Sequence, residues 1–256
     1  MFENHVCDGQ LSIFDLEEDM VDNSNSPLKI KVLSSGSQGN CYLLDYNNET
    51  LILDCGVSIK EIKKGLNFDI SRIVGAICTH SHQDHCLSVK DFKNMGIQIF
   101  EGYKNYEQGV NAMYSKEFGS FKIKTFQLPH DDTLNCGYFI TVGEQKILYM
   151  TDFEYCKYRF TRQNVDHILI ECNYQQELIN EDLPQFVHKV RGHASLNTCK
   201  DFIDINKSDN LKTVLLLHMG GETCNAMECV EQVQEIVGKN VVVNYARKGL
   251  EIELRK

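Results

Sequence analysis

The sequence contains no apolar run of about 18 residues, so no segment has the length and hydrophobicity of a membrane-spanning helix. None of its 11 cysteines forms a C-x-x-C pair, which removes the usual zinc-clip and dithiol signatures. Their number is odd, and most have apolar neighbours, as in TLILDCG and AICTH, the pattern of buried, reduced thiols. The opening MFENHVCDGQLSIFDLEEDM lacks the basic start and apolar core of a secretory signal. These absences predict a chain that stays in the cytoplasm and has no membrane partner. No internal repeat is evident either, which excludes solenoid architectures.

Basic residues are also missing from the first 28 positions, which hold seven acids. Of the net charge of −10, −7 sits there, leaving −3 for the other 228 residues. Two bound divalent cations would roughly offset that remainder, so the global charge does not exclude a nucleic-acid partner. Residues 1–27 read as a flexible acidic arm that ends in the turn-forming run Asn23-Ser24-Asn25-Ser26-Pro27. Residues 28–256 read as one domain.

Short β-rich runs alternate with helical stretches in that domain. The strands are expected at 28–33, 41–45, 50–54, 73–78, 97–100, 121–127, 137–142, 146–150, 166–171, 212–217, 240–244 and 249–254. The helices are expected at 58–66, 86–95, 103–112, 195–206 and 224–238. Consecutive strands come first and helix-separated strands later, which predicts an α/β sandwich of two mixed β-sheets flanked by helices.

Chemistry concentrates after the run IVGAIC, where Thr79-His80-Ser81-His82-Gln83-Asp84-His85 follows. His80 and His82, two apart in extended chain, project to one side. Asp84 and His85 begin a helix, where a first-turn carboxylate is favourable. Three imidazoles and a carboxylate within six residues suit zinc, manganese or iron. Asp54, His130, Asp152 and His218 each stand where an apolar strand stops. Singly, any of them reads equally well as a turn or cap residue. Alongside the histidine cluster, they read as polar groups delivered to one rim of a sheet.

The pattern T-H-x-H-x-D-H with a later His, Asp and His resembles the metallo-β-lactamase superfamily from about residue 28 onward. The resemblance implies an αββα sandwich and two divalent metal ions, most readily zinc or manganese. His80, His82 and His130 would hold one ion, and Asp84, His85 and His218 the other, with Asp152 bridging. Asp54 would orient the histidine segment without binding metal. A metal-bridging hydroxide would be the nucleophile, oriented by Asp84, which takes up its proton.

Ser34-Ser35-Gly36-Ser37-Gln38-Gly39-Asn40-Cys41, Glu171-Cys172-Asn173-Tyr174 and Gly192-His193-Ala194-Ser195-Leu196 narrow the resemblance. They are similar to segments of the YycJ/WalJ exonuclease group, which implies a DNA 5′→3′ exonuclease. Ser35, Ser37, Asn40, Asn173 and Ser195 would then meet substrate, with Ser195 alternatively a helix N-cap. His193 would protonate the leaving oxygen; read without the resemblance, it is a loop histidine before a helix. His188, Lys189 and Arg191 are candidate phosphate contacts. The group's L-S-x-x-N-N after the last metal histidine is here Met219-Gly220-Gly221-Glu222-Thr223-Cys224-Asn225, which bears on substrate preference and polarity. RNA or a cyclic nucleotide is the alternative substrate, and a clamp-tethered module without turnover is the alternative from another class.

Within the arm, Gln10-Leu11-Ser12-Ile13-Phe14 resembles the peptide by which bacterial DNA-processing proteins dock on the β sliding clamp. Leu11, Ile13 and Phe14 would enter an apolar groove with Gln10 at its edge. The other reading folds those apolar side chains back on the domain as a staple.

Overall fold

The computed structural model describes residues 27–109, 112–180, 182, 184 and 186–255. The arm, with Gln10, Leu11, Ile13 and Phe14, lies outside the described residues. Thirteen strands among the described residues form two mixed sheets. The first sheet has the order β13 (Glu251–Leu254), β1 (Leu28–Ser34), β2 (Cys41–Tyr46), β3 (Glu49–Leu53), β4 (Ile73–Cys78) and β5 (Ile99–Glu101). The second runs β12 (Val242–Tyr245), β11 (Thr213–Leu217), β10 (His167–Glu171), β9 (Gln145–Met150), β8 (Thr133–Val142), β7 (Phe121–His130) and β6 (Ser115–Phe118). β3 to β5 are parallel, as are β9 to β12, while the hairpin-linked strands are antiparallel.

Side-chain alternation then builds four layers. Ile30, Tyr42, Leu44 and Leu51 face Ile123, Tyr138, Ile147 and Leu215 between the sheets. The opposite faces are also apolar and need cover. Leu43, Ile52 and Ala76 pack under α1 (Ile59–Gly65) and α3 (Val89–Asn94) through Ile62 and Phe92. Leu148, Ile168 and Val214 pack under α5 (Leu196–Asn206) and α6 (Ala226–Val237) through Phe202, Ile203 and Val233.

Four segments differ from the sequence expectation. The helix expected at 103–112 is a short 3-10 turn, Gly102–Tyr106, because Tyr103 and Tyr106 are buried three apart, the period of that helix. The segment Ser115–Phe118 is an edge strand set by pairing with β7, a tertiary cue its exposed residues do not advertise. The helix expected at 86–95 divides into α2 (Gln83–Cys86) and α3, because the Ser88 hydroxyl donates to the Val57 carbonyl at the break. A further helix, α4 (Phe186–Gly192), precedes α5.

The fold places the site through its strand ends. β3, β4, β7, β9, β10 and β11 finish on one rim, and the last residue of each or one of the next two carries a polar site group. Asp54, Asp152 and His218 turn out of their strands with φ of 53°, 53° and 46°. Left-handed backbone at a non-glycine residue costs about 1–3 kcal/mol and persists only where the surroundings enforce it. Gly56 permits another close approach, since a Cβ there would lie 1.6 Å from the Asp84 carbonyl oxygen.

Candidate metal centre

The rim gathers all seven residues read as ligands. Nitrogens of His80, His82 and His130 lie within 4.8 Å of one another, and so do ligand atoms of Asp84, His85, Asp152 and His218. His80 and His85 are fully buried, His130, Asp152 and His218 nearly so. His130 Nε2 is 3.2 Å from His82 Nδ1, and Thr133 Oγ1 is 3.1 Å from His82 Nε2. Asp152 Oδ1 accepts from His218 Nδ1 at 3.0 Å and lies 3.3 Å from His85 Nε2.

Asp54 braces this arrangement from below. Its Oδ1 accepts the Thr79 amide at 2.8 Å, and its Oδ2 accepts His85 Nδ1 at 2.8 Å and the Tyr149 hydroxyl at 2.5 Å. The carboxylate therefore fixes both the strand exit and the ring of His85, which leaves Nε2 facing the cluster.

Of the residues expected to meet substrate, Ser37 is exposed, on an open cavity of about 300 Å³ that Gln38, Gln83 and Asp84 also line. Asn40, Asn173 and Ser195 are turned inward. Asn40 is fully buried with Nδ2 2.9 Å from His85 Nε2, and its amide donates to the Asp84 carbonyl at 2.7 Å. Asn173 donates to the His218 carbonyl at 2.9 Å. Ser195 caps α5 by accepting the Thr198 amide at 3.0 Å, the cap alternative of the sequence reading. Half-buried Ser35 accepts the His218 amide at 2.9 Å. These four hold the ligand-bearing loops in place. His188 is exposed and pairs with Asp131 at 2.9 Å, a solvated pair of small worth.

Glu171 is the residue the sequence reading missed as a site group. Fully buried at the end of β10, its Oε1 accepts His193 Nδ1 at 2.7 Å and His218 Nδ1 at 2.9 Å. Its Oε2 accepts the amides of Phe153 and Ala194 at 3.1 and 2.9 Å. An apolar strand, HILIE, stopping at an acid was the available signal, the same one that marks Asp54 and Asp152.

Two observations fit the cluster to cations. His80 Nε2 and His218 Nε2 are buried without a hydrogen-bond partner. Such atoms cost about 1–3 kcal/mol each unless something else satisfies them. The charge balance points the same way. Burial holds His80, His82 and His130 below the ordinary histidine range, so these rings are neutral and ready to ligate. Burial opposes charge on His218 too, but Asp152 and Glu171 push it up to about 10. Burial likewise opposes ionisation of Asp152, yet His218 and His85 hold its carboxyl well below the usual range. Without cations, protons on histidines compensate the buried carboxylates.

The comparisons with known proteins agree. The model of the metallo-beta-lactamase superfamily matches residues 35–97. The chain is 25% identical over 222 residues to the exodeoxyribonuclease WalJ of Streptococcus pneumoniae, covering 76% of this chain and 82% of that one. It is 25% identical over 179 residues to the exodeoxyribonuclease YycJ of Bacillus anthracis, covering 59% and 65%. The metallo-beta-lactamase fold protein YhfI of Bacillus subtilis superposes with a TM-score of 0.66 at 18% identity, over 90% of this chain and 100% of that one. The architecture is therefore the metallo-β-lactamase sandwich, and the fold implies divalent metal ions at this rim.

A cation that binds His218 must displace its proton at any pH below about 10. Metal loading at pH 7 should therefore release about one proton or more per chain, and affinity should weaken as pH falls. Calorimetry in two buffers of different ionisation enthalpy measures this directly. Heats that do not depend on the buffer would contradict it.

Proposed function

We propose that this metallo-β-lactamase-fold hydrolase is a dinuclear phosphodiesterase that degrades DNA as a 5′→3′ exonuclease. The observation that carries the reading is the placement of His193, whose Nδ1 is 2.7 Å from buried Glu171 and 3.8 Å from Asp152. An imidazole so held beside a metal cluster suits an acid that serves an oxyanion leaving group better than another ligand. The resemblance to proteins named exodeoxyribonucleases supports DNA as the substrate.

His80, His82 and His130 would hold one ion and Asp84, His85, Asp152 and His218 the other, with Asp152 shared. When bound, such ions would acidify a water and neutralise charge on the attacked phosphoryl group. The chain's own groups handle the protons. Asp84, only partly buried and on the open cavity, faces the attacking water and takes its proton. As the water oxygen bonds to phosphorus and the ester bond breaks, His193 gives its Nε2 proton to the leaving oxygen. Glu171, which accepts from Nδ1, orients the ring for that transfer. Lys189, half-buried on α4, would supply positive charge for the phosphate.

Manganese- or zinc-loaded protein should degrade linear duplex DNA from 5′ ends faster than RNA or cyclic nucleotides. His193→Ala should slow turnover by about 10²–10⁴-fold with metal content unchanged. Faster cleavage of RNA or a cyclic nucleotide would reassign the substrate, and loss of metal in that variant would make His193 a ligand.

The same reading assigns the arm to the β sliding clamp through Gln10, Leu11, Ile13 and Phe14. Replacing Leu11 and Phe14 by Ala should abolish calorimetric binding to the clamp, of about micromolar strength, while basal nuclease activity persists. A lower Tm in the variant, with no clamp binding by the unmodified protein, would favour the apolar staple.

A further inference from the structure

A second group of metal-ligating side chains lies beneath the rim, on the α5–α6 side of the second sheet. Cys172 directly follows Glu171 at the end of β10, Cys224 ends the loop that leaves His218, and Cys229 lies in α6. Their sulfurs all lie within 4.8 Å of one another, and all three residues are buried. Cys224 Sγ is 3.2 Å from Cys229 Sγ. Cys199, fully buried on α5, lies in the same apolar cluster, but its sulfur is not within 4.8 Å of all three.

We propose that Cys172, Cys224 and Cys229 form a buried three-thiolate site for a soft or borderline divalent cation such as zinc, distinct from the centre on the rim. A tetrahedral zinc site with bonds of about 2.3 Å separates its sulfurs by about 3.8 Å. The observed separations, 3.2 Å for one pair and no more than 4.8 Å for the three thiols, straddle that value. Zinc clips in sequence use C-x-x-C, but the fold assembles these ligands from the end of β10, the loop before α6, and α6 itself. The thiols are no nucleophiles as they stand: hydrogen bonding with Cys172 holds Cys224 up at about 12, and burial adds to it. A dication changes that balance, because it binds as each thiol gives up its proton.

The location gives the site a purpose. Cys172 sits between Glu171 and Asn173, and the Asn173 carbonyl accepts the Gly220 amide at 2.9 Å in the loop from His218 to Cys224. The Gln175 amide donates to the Thr223 carbonyl at 2.8 Å in the same loop. A cation shared by Cys172 and Cys224 ties together the two strand ends that carry Glu171 and His218. It acts as a structural clamp and touches no substrate.

Cobalt(II) loading of the full chain, purified under reducing conditions, tests this. The expected result is about three ions per chain, one with an intense near-ultraviolet sulfur-to-cobalt charge-transfer band and tetrahedral visible bands. Cys224→Ser and Cys229→Ser should each lose that band and about one ion, while Cys156→Ser keeps both. About two ions with no charge-transfer band in the unaltered protein would overturn the proposal, leaving Cys224 and Cys229 as an apolar staple across the start of α6. A Cys224–Cys229 disulfide formed in preference to cobalt binding would overturn it equally.

Discussion

The carboxylate of Asp152 is buried at the end of β9, within 3.3 Å of imidazole nitrogens from both His85 and His218. Asp54 and Glu171, both fully buried, lie on either side of it in the network, and Asp84 is partly covered. A buried carboxylate is costly unless it is paired, and removing one partner leaves the other uncompensated. The rest of the site follows from that electrostatic demand. The histidines, the backbone amides aimed at Asp54 and Glu171, and the ions implied by the fold all answer it. The left-handed backbone at Asp54, Asp152 and His218 is tolerated because each turn delivers its side chain into this network.

The two-sheet sandwich makes the arrangement rigid. Parallel strands covered on both faces end together on one rim, the place where open α/β sheets put their ligands. The braces reach across the sandwich: Tyr149 of the second sheet donates to Asp54 of the first, and the amide of His218 donates to Ser35. A side chain that joins two layers fixes geometry better than one held within a single loop.

Much of this was legible in the sequence because the signals were local. The histidine cluster spans six residues, Asp54 and His218 directly follow apolar runs, and Asp152 follows one after Thr151. Glu171 gave the same signal, yet it was read only as part of a family-like segment, since its partners His193 and His218 are 22 and 47 residues away. The inward roles of Asn40, Asn173 and Ser35 were hidden for the same reason: a Ser/Asn-rich loop reads as substrate-facing until the strands behind it are placed. The three-cysteine group was invisible, because apolar context marks each thiol as core and only the fold brings them together. Edge strand β6 and the turn at Gly102–Tyr106 were missed where pairing and burial override local pattern.

In the reading proposed above, two cations complete this buried charge network, one on the three histidines and one shared with Asp152. Anomalous scattering from crystals of metal-loaded protein tests it most directly. The account predicts one peak among His80, His82 and His130, and a second among Asp84, His85 and His218, with Asp152 between them. A second peak instead among Asp152, Glu171, His193 and His218, the other group close enough to ligate, would contradict it and make His193 a ligand.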